Sequence, residues 1–461
     1  MTLIKSISGI RGTIGGNIGE NLTPVDIVKF TTGFAKYISE ITNTDTLKIV
    51  VGRDARTSGE MVNSIVVGTL RGMGINVIDT GLSTTPTVEM AVVEHKADGG
   101  IILTASHNPA QWNALKLLNS KGEFIDSEGG KRVLELAEAN ALAYAEADKL
   151  GSYQVDEKSI EKHIEKVLQL KLVDTKAIEE ADFTVVIDAV NSTGGIAIPK
   201  LLRALGVKKV IELYCTPNGL FPHNPEPLPE HLTDLSKAVI ENKADVGFVV
   251  DPDVDRLAIV CEDGNMFGEE YTLVAVADYV IKNTPGNTVS NMSSTQALRD
   301  ITEKAGLIYN SAAVGEVNVV EVMKNTKAII GGEGNGGIIY PELHYGRDAF
   351  VGIALFLTHL ALQKMKVSQL KEAYPSYTIS KNKIQLSAEM NADLILEKME
   401  EKYKNFPYST VDGLKIEIDK EWVHLRKSNT EPIIRVYAES ASPEKADALA
   451  QKIEQEIMSI S

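Results

Sequence analysis

The stretch GGIILTASHNP, residues 99–109, decides the fold prediction. Its first five residues are a short apolar run typical of a buried strand, and a polar segment that ends in proline follows. This arrangement carries Ser106 into a loop, and Lys116 follows ten residues later, near enough to return to the same place. A serine hydroxyl is a weak nucleophile unless a neighbour removes its proton or it is already esterified. The rest of the chain must therefore show how Ser106 is activated.

Ser106 does not lie in the setting of a serine hydrolase. No G-x-S-x-G motif surrounds it. The adjacent His107 is an awkward base, because neighbouring side chains on an extended segment point to opposite faces. The segment alone is equally compatible with an ordinary turn or a helix cap.

A second apolar run, VGFVV at residues 246–250, leads into DPDVDR at residues 251–256. Asp251, Asp253 and Asp255 occupy alternate positions and can converge on one cation if the loop curls. Oxygen ligands without cysteine or histidine indicate Mg²⁺ or Ca²⁺. A solvated surface loop is the alternative, but three clustered like charges repel one another, which favours a bound cation.

An EF-hand is excluded for this loop. Glu262 does stand at the twelfth position, as an EF-hand requires. Arg256, however, occupies the position that needs glycine, and a strand-like run precedes the loop where a helix is required.

Two further polar loops follow. GGEGNGG, residues 331–337, permits close approach of a ligand to the backbone, and Glu333 and Asn335 could hold sugar hydroxyls. The loop fits neither the P-loop nor the dinucleotide fingerprint. In LRKSNTEP, residues 425–432, an arginine fork and short polar side chains suit a phosphate. Taken singly, each of these loops could also be an ordinary turn.

The order of these four loops resembles that of the α-D-phosphohexomutase family, which includes phosphoglucosamine mutases and phosphomannomutase/phosphoglucomutases. The resemblance extends to SGIRG at residues 8–12, VGRDAR at 51–56 and FPHNPEP at 221–227. It implies three similar mixed-sheet α/β domains plus a smaller C-terminal α+β domain, arranged around a central active-site cleft.

The alternation of strand-like and helix-like stretches agrees with this α/β expectation. Residues 130–149 and 443–458 read as helices. We predict four domains, carrying in order the phosphoserine loop, the metal-binding loop, the sugar-recognition loop and the phosphate-binding loop: residues 1–150, 151–256, 257–370 and 371–461.

The resemblance also implies a role for each candidate residue. Ser106 would be a phosphoserine, and one of its phosphate oxygens would complete a Mg²⁺ site. The other ligands of that metal would be Asp251, Asp253 and Asp255. The groups around the transferred phosphoryl would be Arg11, His107, Lys116 and Arg256. The sugar would contact Glu333 and Asn335. The non-reacting phosphate would be held by Arg426, Ser428, Asn429 and Thr430.

One departure concerns proton transfer. Many family members carry G-E-x-S-G-H in the sugar loop, where the histidine is a candidate acid or base. Here Asn335 replaces the serine and Gly337 replaces the histidine. His344 could take over the role, since a histidine of ordinary pKa suits proton transfer near neutral pH. Lys116 is the other candidate.

The altered loop resembles that of archaeal-type members and favours glucosamine phosphate as substrate. The expectation is a phosphoglucosamine mutase, an intramolecular phosphotransferase of the isomerase class that uses Mg²⁺ and a hexose 1,6-bisphosphate intermediate. A phosphomannomutase/phosphoglucomutase is the alternative, and a non-catalytic sugar-phosphate binding protein is a more remote one.

Composition restricts the partners. The formal charge of the 461-residue chain is −16, which argues against nucleic acid or an anionic membrane surface. Cys215 and Cys261 form no C-x-x-C pair, so neither a zinc site nor a disulfide framework is indicated. No apolar run approaches the ~20 residues that cross a bilayer, and no signal-peptide core opens the chain. We expect a cytoplasmic enzyme, monomeric or homodimeric, with a hexose phosphate as its partner.

Overall fold

The computed structural model describes residues 2–6, 9–44, 46–139, 143–387, 390–428 and 432–460. The chain divides into two compact units. Unit 1 comprises Met1–Thr272 and Gly336–Ser368, and unit 2 comprises Leu273–Asn335 and Gln369–Ser461.

The first sheet of unit 1 has seven strands in the order β1-β2-β6-β5-β3-β4-β7. Their bounds are β1 Ile4–Ser6, β2 Gly9–Thr13, β3 Lys48–Arg53, β4 Asn76–Leu82, β5 Gly99–Leu103, β6 Trp112–Leu118 and β7 Tyr153–Val155. Strands β5, β3, β4 and the edge strand β7 are parallel, whereas β6, β2 and β1 join by antiparallel pairing. The sheet is therefore mixed.

Helices cover this sheet because their apolar faces match its buried strands. The helices are α1 Pro24–Ile41, α2 Gly59–Gly72, α3 Thr85–Glu94 and α4 Ser127–Glu138. Thr23 caps α1 in a capping box with Asp26, and Pro24 occupies the first turn, where its missing N–H costs nothing. Phe30 and Phe34 of α1 pack in one core with Ile101 of β5.

The second sheet of unit 1 has the order β11-β10-β8-β9. Its strands are β8 Thr184–Asp188, β9 Lys209–Leu213, β10 Val246–Val250 and β11 Leu257–Cys261. Its helices are α5 Ser159–Leu168, α6 Thr175–Ala181, α7 Gly194–Ala204 and α8 Thr233–Asn242. Strands β9, β8 and β10 pair in parallel, and β11 lies antiparallel to β10.

The boundary between the units falls inside helix α9, Glu269–Asn283. Later in the chain, β15 Gly337–Ile339 and α12 Ala349–Gln363 belong to unit 1, and α13 Val367–Glu372 spans the second boundary. Helix α12 packs on α5 and α6. It is apolar around nearly its whole circumference, and it is buried accordingly.

Unit 2 contains parallel strands that pair in the order β13-β12-β14 and a five-stranded antiparallel sheet of order β16-β20-β19-β18-β17. The parallel part comprises β12 Thr288–Asn291, α10 Ala297–Lys304, β13 Tyr309–Ala312, α11 Glu316–Thr326 and β14 Ile330–Glu333. The antiparallel part comprises β16 Thr378–Gln385, α14 Ala392–Tyr403, β17 Tyr408–Ser409, β18 Leu414–Ile418, β19 Glu421–Lys427, β20 Ile433–Ser440 and α15 Pro443–Ile460.

The predicted fold class is confirmed: α/β domains with mixed sheets precede a smaller α+β domain at the C-terminus. The helix predicted over residues 130–149 is correct only in part. Asp126 caps α4 by accepting the Gly129 N–H, so the helix begins earlier, and it ends at Glu138. The first sheet extends through β7, past residue 150, and the domain boundaries stay a prediction.

In the part of the chain that the structure describes, no helix is both long and apolar enough to cross a membrane.

Substitution of Gly151 should destabilise unit 1. A Cβ there would lie 1.8 Å from the carbonyl oxygen of Ile75, a backbone atom that cannot move aside cheaply. We expect Gly151→Ala to lower the free energy of unfolding by about 1–3 kcal/mol, the usual cost of overpacking. Urea denaturation measures it. Gly68→Ala, inside α2 with open space around its Cβ, should stabilise the protein by up to about 1 kcal/mol. Equal effects at both positions would contradict the steric explanation.

Candidate active site

Ser106 lies in the loop that joins β5 to β6, two antiparallel neighbours. It is nearly buried, with 8% of its surface exposed, and it adopts a φ of +49°, uncommon for a residue other than glycine. Its N–H donates to Thr104 Oγ1 at 2.9 Å. The hairpin pairs Ile102 with Lys116, so the chain does return Lys116 to the base of the serine loop.

The backbone of the serine loop is held by Arg56, a fully buried arginine beyond the end of β3. Its guanidinium donates to four carbonyl oxygens of the serine loop and the start of β6, those of Ser106, Asn108, Pro109 and Trp112. Asp54 pairs with Arg56 Nε at 3.0 Å and accepts the Thr104 hydroxyl at 2.6 Å. One buried ion pair therefore fixes both sides of Ser106. The motif VGRDAR contains Arg56, but the motif by itself does not predict this role.

The aspartate loop lies at the carboxyl end of β10 and reaches Ser106. The Ser106 hydroxyl donates to Asp251 Oδ2 at 2.7 Å. Asp251 Oδ1 accepts the backbone N–H groups of Asp255 and Arg256, both at 3.1 Å, which curls the loop. Val254 at the tip has a φ of +64°, a strained value for a β-branched residue. The predicted convergence of the three aspartates is present: one oxygen of each lies within 4.8 Å of the others.

The three aspartates are all fully buried. Burial, together with the charges of Asp253 and Asp255, raises the pKa of Asp251 well above its ordinary value. Burial would also raise the pKa of Asp253, but Lys116, whose Nζ lies 2.7 Å away, outweighs it and lowers that pKa. Burial would lower the pKa of Lys116, and Asp253 and Asp255 outweigh it and raise that pKa.

The residues fit a hard divalent cation. Asp253 Oδ1 and Asp255 Oδ1 are buried oxygen atoms without a hydrogen-bond partner among the described residues. Unsatisfied buried carboxylate oxygens are costly, and a cation would satisfy them. An all-oxygen donor set suits Mg²⁺ or Ca²⁺.

Cationic side chains surround the aspartates. Arg347 Nη2 lies 2.7 Å from Asp255 Oδ2, and Arg256 Nε lies 3.9 Å from Asp255 Oδ1. Arg11 lies on β2, whose neighbour β6 carries Lys116. Arg347, which follows the predicted His344 by three residues, was not predicted. No local pattern distinguishes Arg347, because its partner is 92 residues away in sequence. Thr85, which donates to Asp253 Oδ2 at 2.6 Å, was missed for the same reason.

His107 lies beside Ser106, contrary to the sequence argument that adjacent side chains point apart. Its Nδ1 is 3.3 Å from Ser106 Oγ. The turn at Ser106 is not extended, so the alternation rule does not apply. Burial, followed by the charge of Arg256, holds the pKa of His107 well below its ordinary value. The ring is therefore neutral near pH 7.

His344 belongs to a separate cluster. Its Nδ1 lies 3.3 Å from Glu89, and its Nε2 lies 3.2 Å from Asp348. Asp348 also accepts His163 Nε2 at 2.9 Å and caps α12 through Phe350 N–H. Two imidazoles and one carboxylate could hold a metal ion, but here the ring nitrogens face hydrogen-bond partners. The cluster anchors the start of α12.

In unit 2, Glu333 is the last residue of β14 and is buried. Its Oε1 accepts Asn291 Nδ2 at 2.8 Å and the Gly315 N–H at 2.9 Å. The Gly334 N–H donates to Ser294 Oγ at 2.8 Å, which fixes the loop that continues to the half-buried Asn335.

Arg426 lies near the end of β19, with its Nε 2.8 Å from Asp412 Oδ2. Ser428 follows and donates its backbone N–H to Ile433 O at 3.0 Å. The other two residues predicted to hold phosphate, Asn429 and Thr430, lie outside the described residues.

Four domain families match the chain, one after another from its N-terminal to its C-terminal part. The matching descriptions are phosphoglucomutase/phosphomannomutase alpha/beta/alpha domain I at residues 3–143, domain II at 161–264, domain III at 268–377 and the C-terminal domain at 383–456. The chain belongs to this family, the α-D-phosphohexomutases, and is a mutase that transfers phosphate within a sugar phosphate.

Individual relatives carry two different names. A phosphoglucomutase/phosphomannomutase of Thermococcus kodakarensis is 35% identical and aligns with 94% of this chain and 95% of its own. A probable phosphoglucosamine mutase of Methanopyrus kandleri is 30% identical and aligns with 96% of this chain and 95% of its own. A solved phosphoglucomutase/phosphomannomutase family protein of Burkholderia thailandensis has the same fold, with a TM-score of 0.84, 24% identity and coverage of 99% and 98%.

Mg²⁺ should stabilise the protein through the aspartate loop. A ligand at about a hundred times its dissociation constant adds about 2.7 kcal/mol to the free energy of unfolding. We expect Mg²⁺ to raise the melting temperature of the EDTA-treated protein, and to raise it far less in Asp251→Asn. Asp182→Asn is the control, since Asp182 is exposed and its left-handed backbone suits asparagine. An undiminished shift in Asp251→Asn would place the cation elsewhere.

Proposed function

We propose that this phosphohexomutase is a phosphoglucosamine mutase, which interconverts glucosamine 6-phosphate and glucosamine 1-phosphate through a phosphoserine at Ser106 and a bisphosphorylated sugar. The observation that supports the reaction best is the 2.7 Å contact between the Ser106 hydroxyl and Asp251, at the edge of a buried aspartate cluster.

The contact favours a phosphate carrier over a hydrolase nucleophile. A hydrolase needs a base that removes the serine proton, held in place by a third group. His107 Nδ1 lies 3.3 Å from the hydroxyl, but the hydroxyl donates at 2.7 Å to Asp251, a carboxylate within a set of oxygens that suits a hard cation. A serine that already carries phosphate needs no base of its own, because it donates phosphate to the sugar and receives one back.

Phosphoryl transfer depends mainly on positioning and on neutralising charge at the phosphoryl oxygens. Mg²⁺ held by Asp251, Asp253 and Asp255 would supply part of that charge as a Lewis acid. Lys116 and Arg256 would add further positive charge at the same place. Arg56 would keep Ser106 aligned, since it fixes the backbone carbonyl of that residue.

Of the two candidates for proton transfer, Lys116 is the one that lies at the aspartate cluster, where its raised pKa keeps it protonated, so it could only donate a proton. Its Nζ lies among the aspartates, 2.7 Å from Asp253 and 3.4 Å from Asp255. His344 has both ring nitrogens beside carboxylates of another cluster. The role of His344 as the acid or base stays a prediction.

The choice of sugar rests on the loop GEGNGG and on relatives. The loop lacks the histidine that phosphomannomutase/phosphoglucomutases and bacterial phosphoglucosamine mutases carry, and it resembles the loop of archaeal-type members. Archaeal relatives at 30–33% identity are named probable phosphoglucosamine mutases. Phosphomannomutase/phosphoglucomutase remains the second candidate, because the relative at 35% identity carries that name.

The carrier role predicts a covalent phosphate on Ser106. After incubation with glucose 1,6-bisphosphate, intact-protein mass spectrometry should find one phosphate, and peptide mapping should place it at Ser106. Ser106→Ala should lack it and lose at least about a thousandfold in turnover, as other enzymes do without their nucleophile. Ser120→Ala, at an exposed turn, should behave like the wild type. Phosphate-free wild-type protein would favour a binding protein instead.

The substrate assignment predicts a ranking. The kcat/KM for glucosamine 6-phosphate should exceed the values for mannose 6-phosphate and glucose 6-phosphate, measured by coupled assay with the same Mg²⁺ and bisphosphate. If glucosamine 6-phosphate is the poorest of the three, the assignment is wrong and the second candidate takes its place.

A further inference from the structure

Asp412 is a carboxylate that the reaction scheme does not use, yet it contacts a residue proposed to bind substrate. Its Oδ2 lies 2.8 Å from Arg426 Nε, a charge contact without the alignment of a hydrogen bond, and about a fifth of each side chain is exposed. A guanidinium has five N–H donors, so an ion pair at Nε is compatible with phosphate binding through the two Nη groups.

The ion pair offsets a repulsion built into the sheet. Arg426 of β19 stands directly opposite Arg435 of β20 in the antiparallel register. Like charges in that position destabilise a strand pair and push the flexible side chains apart. The carboxylate of Asp412 supplies the opposite charge at Arg426.

The backbone of Asp412 is fixed from two sides. Its carbonyl oxygen accepts His424 Nε2 at 2.6 Å, and Ser293 Oγ lies 2.9 Å from the other nitrogen of that ring. Burial lowers the pKa of His424 to about 4, so this ring stays neutral and one nitrogen can accept the serine hydroxyl. The next residue, Gly413, has a φ of +75°, and a Cβ there would lie 2.2 Å from Leu425 O. Only glycine suits that position.

The carboxylate itself is tied to the sugar loop. Asp412 Oδ2 accepts the Val314 N–H at 2.9 Å, and the next N–H, that of Gly315, donates to Glu333 Oε1 at 2.9 Å. Adjacent backbone amides before α11 thus hold two carboxylates, one beside the phosphate-binding arginine and one in the sugar loop. Movement of either carboxylate would disturb the other.

We propose that Asp412 is a positioning residue for substrate binding: it aims the Arg426 guanidinium at the non-reacting phosphate and keeps it in register with Glu333. The proposal rests on the proposed function, in which Arg426 grips that phosphate. Asp412 would touch no reacting atom. It would act because an arginine held in its binding geometry loses less rotamer freedom when phosphate arrives.

A double-mutant cycle tests the proposal. Asp412→Asn keeps an oxygen that can accept the Val314 N–H but removes the charge. It should reduce kcat/KM at least tenfold, mainly through a higher KM, because the grip on a non-reacting phosphate acts in the ground state as well as the transition state. In an Arg426→Ala background the same change should have less than a twofold effect. Asp419→Asn, an exposed position of the same domain, should match the wild type.

Calorimetric titration of glucose 6-phosphate into the same variants separates this proposal from the proposed function. If the wild type turns over no hexose phosphate, the function fails, and the affinity ratios still report on Asp412 and Arg426. An equal loss of affinity from Asp412→Asn with and without Arg426 would show a structural role only and overturn the proposal. Wild-type affinity in Asp412→Asn would overturn it as well.

Discussion

The serine loop depends on one buried ion pair. Arg56 and the adjacent Asp54 are both fully buried. A buried cation is tolerated only when it is paired and its donors are satisfied, and here one carboxylate and four carbonyl oxygens do so. The same contacts hold Ser106 in a left-handed conformation that it would not adopt freely. The same ion pair therefore stabilises the loop and fixes the backbone conformation of Ser106.

The aspartate cluster is the complementary constraint. Three buried carboxylates would destabilise unit 1 if nothing opposed them, and Lys116, Arg256 and Arg347 approach them closely. A chain with a formal charge of −16 thus concentrates positive charge at the place where we propose that an anionic substrate binds. The aspartate oxygens that accept no hydrogen bond from any residue that the structure describes suit a cation.

Each proposed ligand group stands where a buried strand ends. Ser106 follows β5, Asp251 follows β10, and Glu333 ends β14. Residues at strand ends leave the core while their backbone is still anchored in the sheet, which is why α/β proteins place their binding groups there. The fourth proposed ligand group, Arg426, differs. It lies on an antiparallel strand and contacts Asp412, which belongs to a neighbouring turn.

The sequence found Ser106 and the three aspartates because each follows an apolar run that ends abruptly in polar residues, a signal confined to about ten positions. It misjudged His107, where an unrecognised turn cancels strand alternation, and the length of the helix that became α4. Local pattern thus predicted the alternation of strands and helices and the charged character of the loops, and the order of the motifs carried the family resemblance that implied the full fold. Only the tertiary structure decided that Arg56 braces the serine, that Arg347 faces Asp255 and that Asp412 holds Arg426. These contacts join residues far apart in the chain, and no local pattern encodes which distant charges will meet once the strands have paired.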